Sequence, residues 1–342
     1  MKRKKQRTLF VLCAALVCAA SGALSGCGGK KVYAQTQSGA ARMPASQPSG
    51  PAKVYFTDDI SPAGLMAVYK ALGQSPDNAS VVSGRVAVKI TTGESPRSNH
   101  LRPDFIRDLV QSVNGTLVES NTAYGGRRAS TAVHKETARA HGYTAIAKVD
   151  ILDEDGSVSL PVQGGTRLKE NFVGGHFKNY DYYIVLSHFK GHSMGGFGGA
   201  IKNISIGIAS PEGKAWIHSG GKSRSNPWGG AQDAFLDSMA EAGKSVVDSL
   251  NGNILYINVM NRLSVDCDCS GSPAEPDMHD IGILSSLDPV ALDKACVDLV
   301  YEAPDGRSLI RRMESRNGIR TINHGAEIGL GSKAYDLVRL NG

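Results

Sequence analysis

The stretch YYIVLSHFKGHSMGGFGGAIKNISIG, residues 182–207, decides the fold. Its first five residues are apolar or aromatic and predict a buried β-strand. The strand leads into a segment with five glycines between residues 191 and 199, where backbone amides can approach a ligand closely. In open α/β sheets the carboxyl ends of the strands form the binding crevice. We therefore expect a site where this strand ends.

Polar side chains crowd the same segment. Two imidazoles four residues apart are suited to binding a metal or transferring protons near neutral pH, and two lysines are suited to holding an anion or a carbonyl group. The candidate catalytic residues are His188, Lys190, His192 and Lys202, and the candidate ligand-binding residues of this segment are Gly198, Gly199 and Asn203. The alternative is a glycine-rich crossover whose histidines only bond buried backbone groups.

The same segment contains GHSMG, residues 191–195, which matches the G-x-S-x-G pattern of serine hydrolases. That pattern requires a helix to start after Ser193. The glycines that follow argue against a helix start, so we do not expect a serine nucleophile.

Predicted strands alternate with predicted helices along the rest of the chain. The alternation predicts an α/β fold with a mostly parallel central sheet, flanking helices and three layers, built as one domain or as two sub-domains sharing a cleft. Residues 149–178 interrupt the alternation and read as an excursion that bears a hairpin. The expected strands are 53–56, 85–90, 116–119, 182–186, 254–259, 281–284 and 335–340, and the expected helices are 62–72, 103–113, 130–141, 231–250, 290–301 and 308–316.

A second loop follows the predicted strand 116–119 and reads SNTAYGGRR, residues 120–128. Because parallel strands end at one edge of a sheet, this loop is expected beside the glycine-rich segment. We take Asn121, Tyr124 and Arg127 as candidate ligand-binding residues. The alternative is that these loop residues are only solvated.

Two cysteines follow the predicted strand 254–259 in the sequence DCDC, residues 266–269. Cys267 and Cys269 lie on the same side of an extended chain and, with His279, could bind Zn, Fe or Ni. Alternatively the two are free thiols or an oxidised pair. Cys296 lies within a predicted helix and is expected to be a buried apolar residue.

The first 52 residues are expected to lie outside the folded domain. Residues 1–26 carry a basic start and a short apolar run typical of a signal peptide, and LSGC at 24–27 resembles a bacterial lipobox. Cys27 would then be lipidated, with palmitate among its acyl groups, and residues 27–52 would be a flexible tether. We expect an exported protein, anchored to the outer face of the cytoplasmic membrane or to the outer membrane. A plain secretory signal is the alternative.

The charge of the chain is concentrated in this leader. The whole sequence has 38 Lys and Arg against 32 Asp and Glu, but five basic and no acidic residues lie in 1–26, which leaves a mature charge of +1. A nucleic-acid-binding domain normally carries a strong basic excess. Nucleic acid is therefore not an expected partner, and the oligomeric state stays open.

Several motifs resemble one protein family. They are NTAYGGRR at 121–128, LSHFKGHSMGGFGGAIKNISIGIAS at 186–210, DCDC at 266–269, DIGILSSLDPVALDKACVDLV at 280–300 and GAEIGLGSKAYDLV at 325–338. Together they resemble the uncharacterised iron–sulphur-centre family known as domain of unknown function 362, over residues 53–342. Relatives often carry a ferredoxin module where this chain has the cysteine-free residues 218–232. The resemblance therefore implies the parent domain without a ferredoxin-type cluster.

These observations lead to two functional expectations. The first is a metal-dependent or anion-binding site formed by the glycine-rich segment and the DCDC motif. The alternative is a lipoprotein that captures a small anionic ligand without chemistry. The sequence does not decide whether the protein is an enzyme.

Overall fold

The structure is a computed structural model that describes residues 50–74 and 82–340. The predicted signal peptide, Cys27 and nearly all of the predicted tether lie outside the described residues. Within the described part, no helix combines the length and apolar character needed to cross a bilayer.

The described chain alternates strands with helices as the sequence predicts. The strands are β1 (Ala52–Thr57), β2 (Val86–Lys89), β3 (Thr116–Glu119), β4 (Val149–Ile151), β5 (Ser157–Pro161), β6 (Glu170–Gly174), β7 (Tyr182–His188), β8 (Lys190–His192), β9 (Gly196–Gly198), β10 (Ile254–Met260), β11 (Gly282–Ser286) and β12 (Tyr335–Arg339). The helices are α1 (Pro62–Gly73), α2 (Pro103–Ser112), α3 (Thr131–Ala140), α4 (Ala200–Ser205), α5 (Pro211–His218), α6 (Gln232–Leu250), α7 (Pro289–Glu302), α8 (Arg307–Ser315) and α9 (Ile319–Glu327).

Eight of these strands form the central sheet, in the order β12-β1-β11-β10-β7-β2-β3-β4. Only β11 runs against its neighbours β1 and β10, and the other pairs are parallel. This confirms the expected mostly parallel α/β fold. All described residues belong to one compact unit.

The helices cover both faces of the sheet because successive strand residues point to opposite sides. In β7, Tyr183 and Val185 pack into the core shared with α4, α6 and α7, whereas Ile184 and Leu186 pack into the core shared with α1 and α2. All seven residues of β7 are buried. The fold therefore has the three predicted layers.

Two local expectations were incomplete. Residues 149–178 do contain a hairpin, β5 with β6, but the same stretch also supplies β4, which pairs with β3 as an edge strand of the central sheet. A helix does begin after the glycines, since α4 starts at Ala200. Ser193 itself is followed by β9 and not by a helix, as expected. The unpredicted α4 begins only after the last glycine, and its start is bonded by a residue distant in sequence.

That residue is Asp293 of α7, which is fully buried. Its carboxylate accepts hydrogen bonds from the backbone N–H groups of Ala200 at 2.7 Å and Ile201 at 3.0 Å, and from Asn258 Nδ2 at 2.8 Å. A side chain at Gly199 would place its Cβ 2.3 Å from this carboxylate, so only glycine fits. Asp293 thus positions the helix that carries Lys202.

The ionisation of Asp293 should make stability depend on pH. Burial raises the pKa of Asp293 to about 6, despite the hydrogen bonds that lower it. Between about pH 4 and 6 the unfolded chain loses this proton while the folded chain keeps it, so stability falls as pH rises, by about 3 kcal/mol. Urea unfolding at each pH should show this loss as a difference in slope between the wild type and Asp293→Asn, since the other buried acids contribute equally to both proteins. Glu302→Gln, an exposed acid on the same helix, should keep the wild-type slope, and equal slopes in all three proteins would contradict the assignment.

Candidate functional site

A cavity of about 470 Å³ opens at the carboxyl edge of the central sheet. Its wall contains the residues that follow β2, β3, β7 and β10, so the loops after these strands meet as expected. We call it the lysine cavity, after the cations in its lining, which are Arg128, Lys190, Lys202 and Lys214. The glycine-rich segment and the DCDC motif both contribute to it.

His188, at the end of β7, does not reach the lysine cavity. Its ring is buried, with Nδ1 3.0 Å from Asp268 Oδ1 and Nε2 2.7 Å from the carbonyl oxygen of Asn261. Both ring nitrogens therefore lie within hydrogen-bond distance of protein acceptors. With both nitrogens bonded, His188 is placed to hold Asp268 rather than to bind a ligand.

Lys190 holds the same carboxylate from the cavity side. Its Nζ lies 3.0 Å from Asp268 Oδ2 and donates to the carbonyl oxygen of His188 at 2.6 Å. Burial alone would raise the pKa of Asp268, but Lys190 and His188 outweigh it and hold that pKa well below its usual range. Asp268 therefore stays ionised and joins β7 and β8 to the DCDC segment.

Glycine allows this segment to come close to the hairpin of β8 and β9. A Cβ at Gly191 would lie 2.4 Å from the carbonyl oxygen of Val265, and the Gly191 N–H donates to Ser264 O at 2.8 Å. A larger residue would push the two backbones apart. Glycine was predicted to let a ligand approach the backbone. At Gly191 the group that comes close is protein backbone instead.

Cys267 and Cys269 both line the lysine cavity and are joined by a disulfide. The interpretation as an oxidised pair, one of the alternatives left open, therefore describes this structure. Ligand atoms of Cys267, Cys269 and His192 lie within 4.8 Å of one another, so the third candidate ligand is His192. His279 is not brought to the group, since its ring is half exposed and its Nδ1 bonds Asp305 at 2.8 Å.

His192 is buried in β8, and its tautomer is set by backbone. Its Nδ1 accepts from the N–H groups of Met194 at 3.2 Å and Gly195 at 2.9 Å. Burial, followed by the charge of Lys202, lowers the pKa of His192 well below its usual value, so the ring is neutral. A neutral ring that accepts at Nδ1 carries its proton on Nε2. His192 therefore offers an N–H donor, not a lone pair for a metal.

Lys202 and Lys214 provide positive charge without a carboxylate partner. In the part of the chain that the structure describes, Lys202 Nζ has no hydrogen-bond or ion-pair partner, and Lys214 Nζ donates only to the carbonyl oxygen of Ala209, at 2.5 Å. Burial first, and then Lys190 and Arg128, lower the pKa of Lys202 to about 7. Burial lowers the pKa of Lys214 to about 8.

Arg128 belongs to a buried network at the back of the cavity. Its guanidinium lies 3.3 Å from Glu119 Oε1 and 3.1 Å from Glu94 Oε2, and Lys89 Nζ lies 3.5 Å from Glu119 Oε2. Burial alone would raise the pKa of Glu119, but Lys89 and Arg128 lower it to about 2. Of the two consecutive arginines, Arg128 therefore lines the cavity. The predicted Arg127 is exposed and does not line it.

The remaining predicted ligand-binding residues divide into two groups. Tyr124, Gly198, Gly199 and Asn203 line the cavity, although the Asn203 side chain is bonded to Lys89 Nζ and Ser187 Oγ. Asn121 does not line it, because its amide bonds Thr131, Asp153 and His134.

Lys214 and Trp228 were missed by the sequence reasoning. Lys214 lies on α5, whose start was readable from Ser210-Pro211, a typical helix N-terminus in which Ser210 Oγ accepts from Gly213 N–H at 3.2 Å. Trp228 lines the cavity with 59% of its surface exposed, and nothing in its local sequence indicates that position.

The disulfide gives a direct chemical test. Iodoacetamide added to the denatured protein without a reductant should label Cys296 but leave Cys267 and Cys269 unmodified, because their sulphurs are bonded to each other. After treatment with dithiothreitol, both should be labelled. Peptide mass spectrometry distinguishes the two states, and labelling of all three cysteines before reduction would contradict the oxidised pair.

Comparison with known proteins identifies the family. The model described as Domain of unknown function (DUF362) matches residues 86–298. The chain is also similar to the lactate racemase apoprotein from Thermoanaerobacterium thermosaccharolyticum, at 16% identity over 60% of this chain and 50% of that one, TM-score 0.36. A protein from Thermotoga maritima is similar at 13% identity over 69% and 59%, TM-score 0.39. The chain thus spans less than two thirds of either structure, and no curated protein matches it. Since the family model covers more than half of the sequence, the chain belongs to the DUF362 family.

Proposed function

We propose that the lysine cavity binds a small anion that carries a carboxylate or phosphate group, in a protein exported and anchored by lipid. The single observation that carries the proposal is the pair of ammonium groups on Lys202 and Lys214, which line the cavity without a carboxylate partner among the described residues. Burying a cation costs free energy unless the cation is paired with an anion. A bound anion would supply the negative partner that the described residues do not provide.

The balance of charge in the cavity wall supports this proposal. Its three acidic residues already have protein partners: Glu119 pairs with Lys89 and Arg128, Asp268 with Lys190 and His188, and Asp266 with Arg312. Lys202 and Lys214 are left over. The cavity therefore carries an excess of positive charge at neutral pH, although the mature chain as a whole is almost neutral.

Other features of the wall suit a small organic anion. His192 Nε2–H is a neutral donor without a partner in the described residues, and a volume of about 470 Å³ lies in the usual range for small-molecule pockets. Tyr124 and Trp228 add aromatic surface.

The second candidate, a metal-dependent site, rests on the closeness of His192, Cys267 and Cys269. Two features count against it. The sulphurs are bonded to each other, and the proton of His192 occupies Nε2. Metal binding would need both a reductant and a change of tautomer, whereas anion binding needs neither. The expectation that this chain carries no ferredoxin-type cluster stays a prediction.

Anion binding should depend on the two lysines. Calorimetric titration with oxalate and with sulfate should give a dissociation constant that rises about tenfold in Lys202→Gln and in Lys214→Gln, because each loses one charge-assisted contact. Lys178→Gln, at an exposed site outside the cavity, is the matched control and should bind like the wild type. Equal affinity in all four proteins would refute the proposed site.

The same binding should weaken as pH rises. Oxalate and sulfate keep their charge between about pH 6 and 9, whereas Lys202 and then Lys214 lose protons through pKa values of about 7 and about 8. Since the anion favours the protonated lysines, affinity should fall across this window. Titrations at several pH values measure the slope, and affinity that is independent of pH would contradict the assignment.

The lipid anchor concerns residues outside the described part of the chain and is tested separately. Labelling of expressing cells with radioactive palmitate should mark the wild type and not Cys27→Ser, because the expected acceptor is that thiol. Membrane fractionation should place the labelled protein in the cytoplasmic or the outer membrane. Palmitate on the Cys27→Ser protein, or a wild type without label, would sink this part of the proposal.

A further inference from the structure

We propose that Lys202 is a catalytic nucleophile that forms an imine with a small carbonyl compound bearing a carboxylate or phosphate. This inference rests on the proposed anion site and names the class of ligand that the site would take. It follows from the position of one amine relative to the cations around it.

The amine of Lys202 differs from those of the neighbouring lysines in having no protein partner among the described residues. Lys190, Lys89 and Lys214 each donate to backbone or side-chain acceptors of the protein. Lys202 Nζ, in contrast, has no partner within the described residues, and Lys202 lines the lysine cavity. Of these four lysines it is therefore the one whose nitrogen is available for a ligand.

Positively charged side chains surround the amine of Lys202. A Cβ at Gly198 would lie 3.3 Å from Lys202 Cδ and 3.9 Å from Lys190 Cε, so the two lysine side chains lie next to each other. Lys190 is held as a cation by Asp268. The largest charge effects on Lys202 come from four cations, Lys190, Arg128, Lys89 and Lys214, and they add to burial in lowering its pKa to about 7. A large share of Lys202 is therefore the neutral, nucleophilic amine at neutral pH.

Other side chains of the lysine cavity would orient the ligand. An anionic group that pairs with Lys214 and Arg128 would keep the carbonyl carbon inside the cavity, where Lys202 can reach it. His192 Nε2–H can donate to the carbonyl oxygen, since His192 and Lys202 line the same cavity. Fixed charges thus bind the anion, and the uncharged amine attacks.

The chemical step balances without a redox partner. The lysine nitrogen adds to the carbonyl carbon, forming a C–N bond. The carbonyl oxygen then leaves as water with the two protons of the amine, and the product is a C=N bond. The imine makes the neighbouring carbon more acidic and the former carbonyl carbon more electrophilic, which suits decarboxylation, aldol or addition reactions. No metal or external reductant takes part.

Reductive trapping tests the proposal on the full-length chain purified in mild detergent. The protein is incubated with cyanoborohydride and one of three probes: pyruvate, hydroxyacetone phosphate or uncharged hydroxyacetone. Peptide mass spectrometry then maps the modified lysines. We expect either charged probe to modify Lys202 about a hundredfold faster than the exposed Lys178 at neutral pH, because a large share of Lys202 is the neutral amine and the cavity binds the anionic probe beside it. The two charged probes distinguish a carboxylate from a phosphate ligand, and hydroxyacetone should react slowly.

Two controls separate this chemistry from ordinary lysine modification. The rate at Lys202 should rise through about pH 7 and then level. Lys202→Arg should lose the fast modification, and Lys178→Arg should keep it. Lys202 reacting no faster than Lys178, or equally with hydroxyacetone, overturns the imine proposal even if Lys202→Arg does not fold.

The failure of the imine can be told apart from the failure of anion binding. If pyruvate or oxalate raises the melting temperature but Lys202 is not trapped, the imine is wrong and anion capture stands. If no anion changes the melting temperature and no trapping occurs, both proposals fall.

Discussion

The carboxylate of Asp268 is the group on which the architecture of the cavity depends. It is almost completely buried, and it is tolerated there because Lys190 Nζ and His188 Nδ1 both lie 3.0 Å away. Removing both partners would leave a buried charge unpaired, which costs several kcal/mol. Because Asp268 stands between Cys267 and Cys269, the same ion cluster fixes both sulphurs in the cavity wall. The carboxylate of Asp268 thus links the DCDC loop to the end of β7 and to the hairpin of β8 and β9.

The chain uses charge in two different ways within a small volume. Glu119 and Asp268 each satisfy two cations and have structural roles. Lys202 receives no such partner, and its neighbours make its ammonium form less favourable. Structural cations with fixed partners thus surround one amine whose ionisation is sensitive to its surroundings, an arrangement often found where a protein binds or converts a ligand.

The sequence predicted most of the fold because the patterns that define it are local. The continuous apolar run of β7 and the Ser61-Pro62 helix start of α1 were readable without tertiary information. The start of α4 was not, since its backbone groups are bonded by Asp293, more than ninety residues away. The same limit applies to the site. Sequence could place His188 and His192 in one segment, but their roles depend on Asp268 and on backbone N–H groups near residue 194. Likewise, only the packing distinguishes Arg128 from its neighbour Arg127.

The direction of β1 has a practical consequence for handling this protein. β1 runs parallel to β12 and, through the antiparallel β11, in the same direction as β10 and β7. Its first residue, Ala52, therefore lies at the edge of the sheet opposite to the mouth of the cavity. Anything attached ahead of Ala52, whether an acyl group, an affinity handle or a solid support, joins the domain on the side away from the ligand entrance. Immobilisation through the amino-terminal side should leave that entrance open to solution.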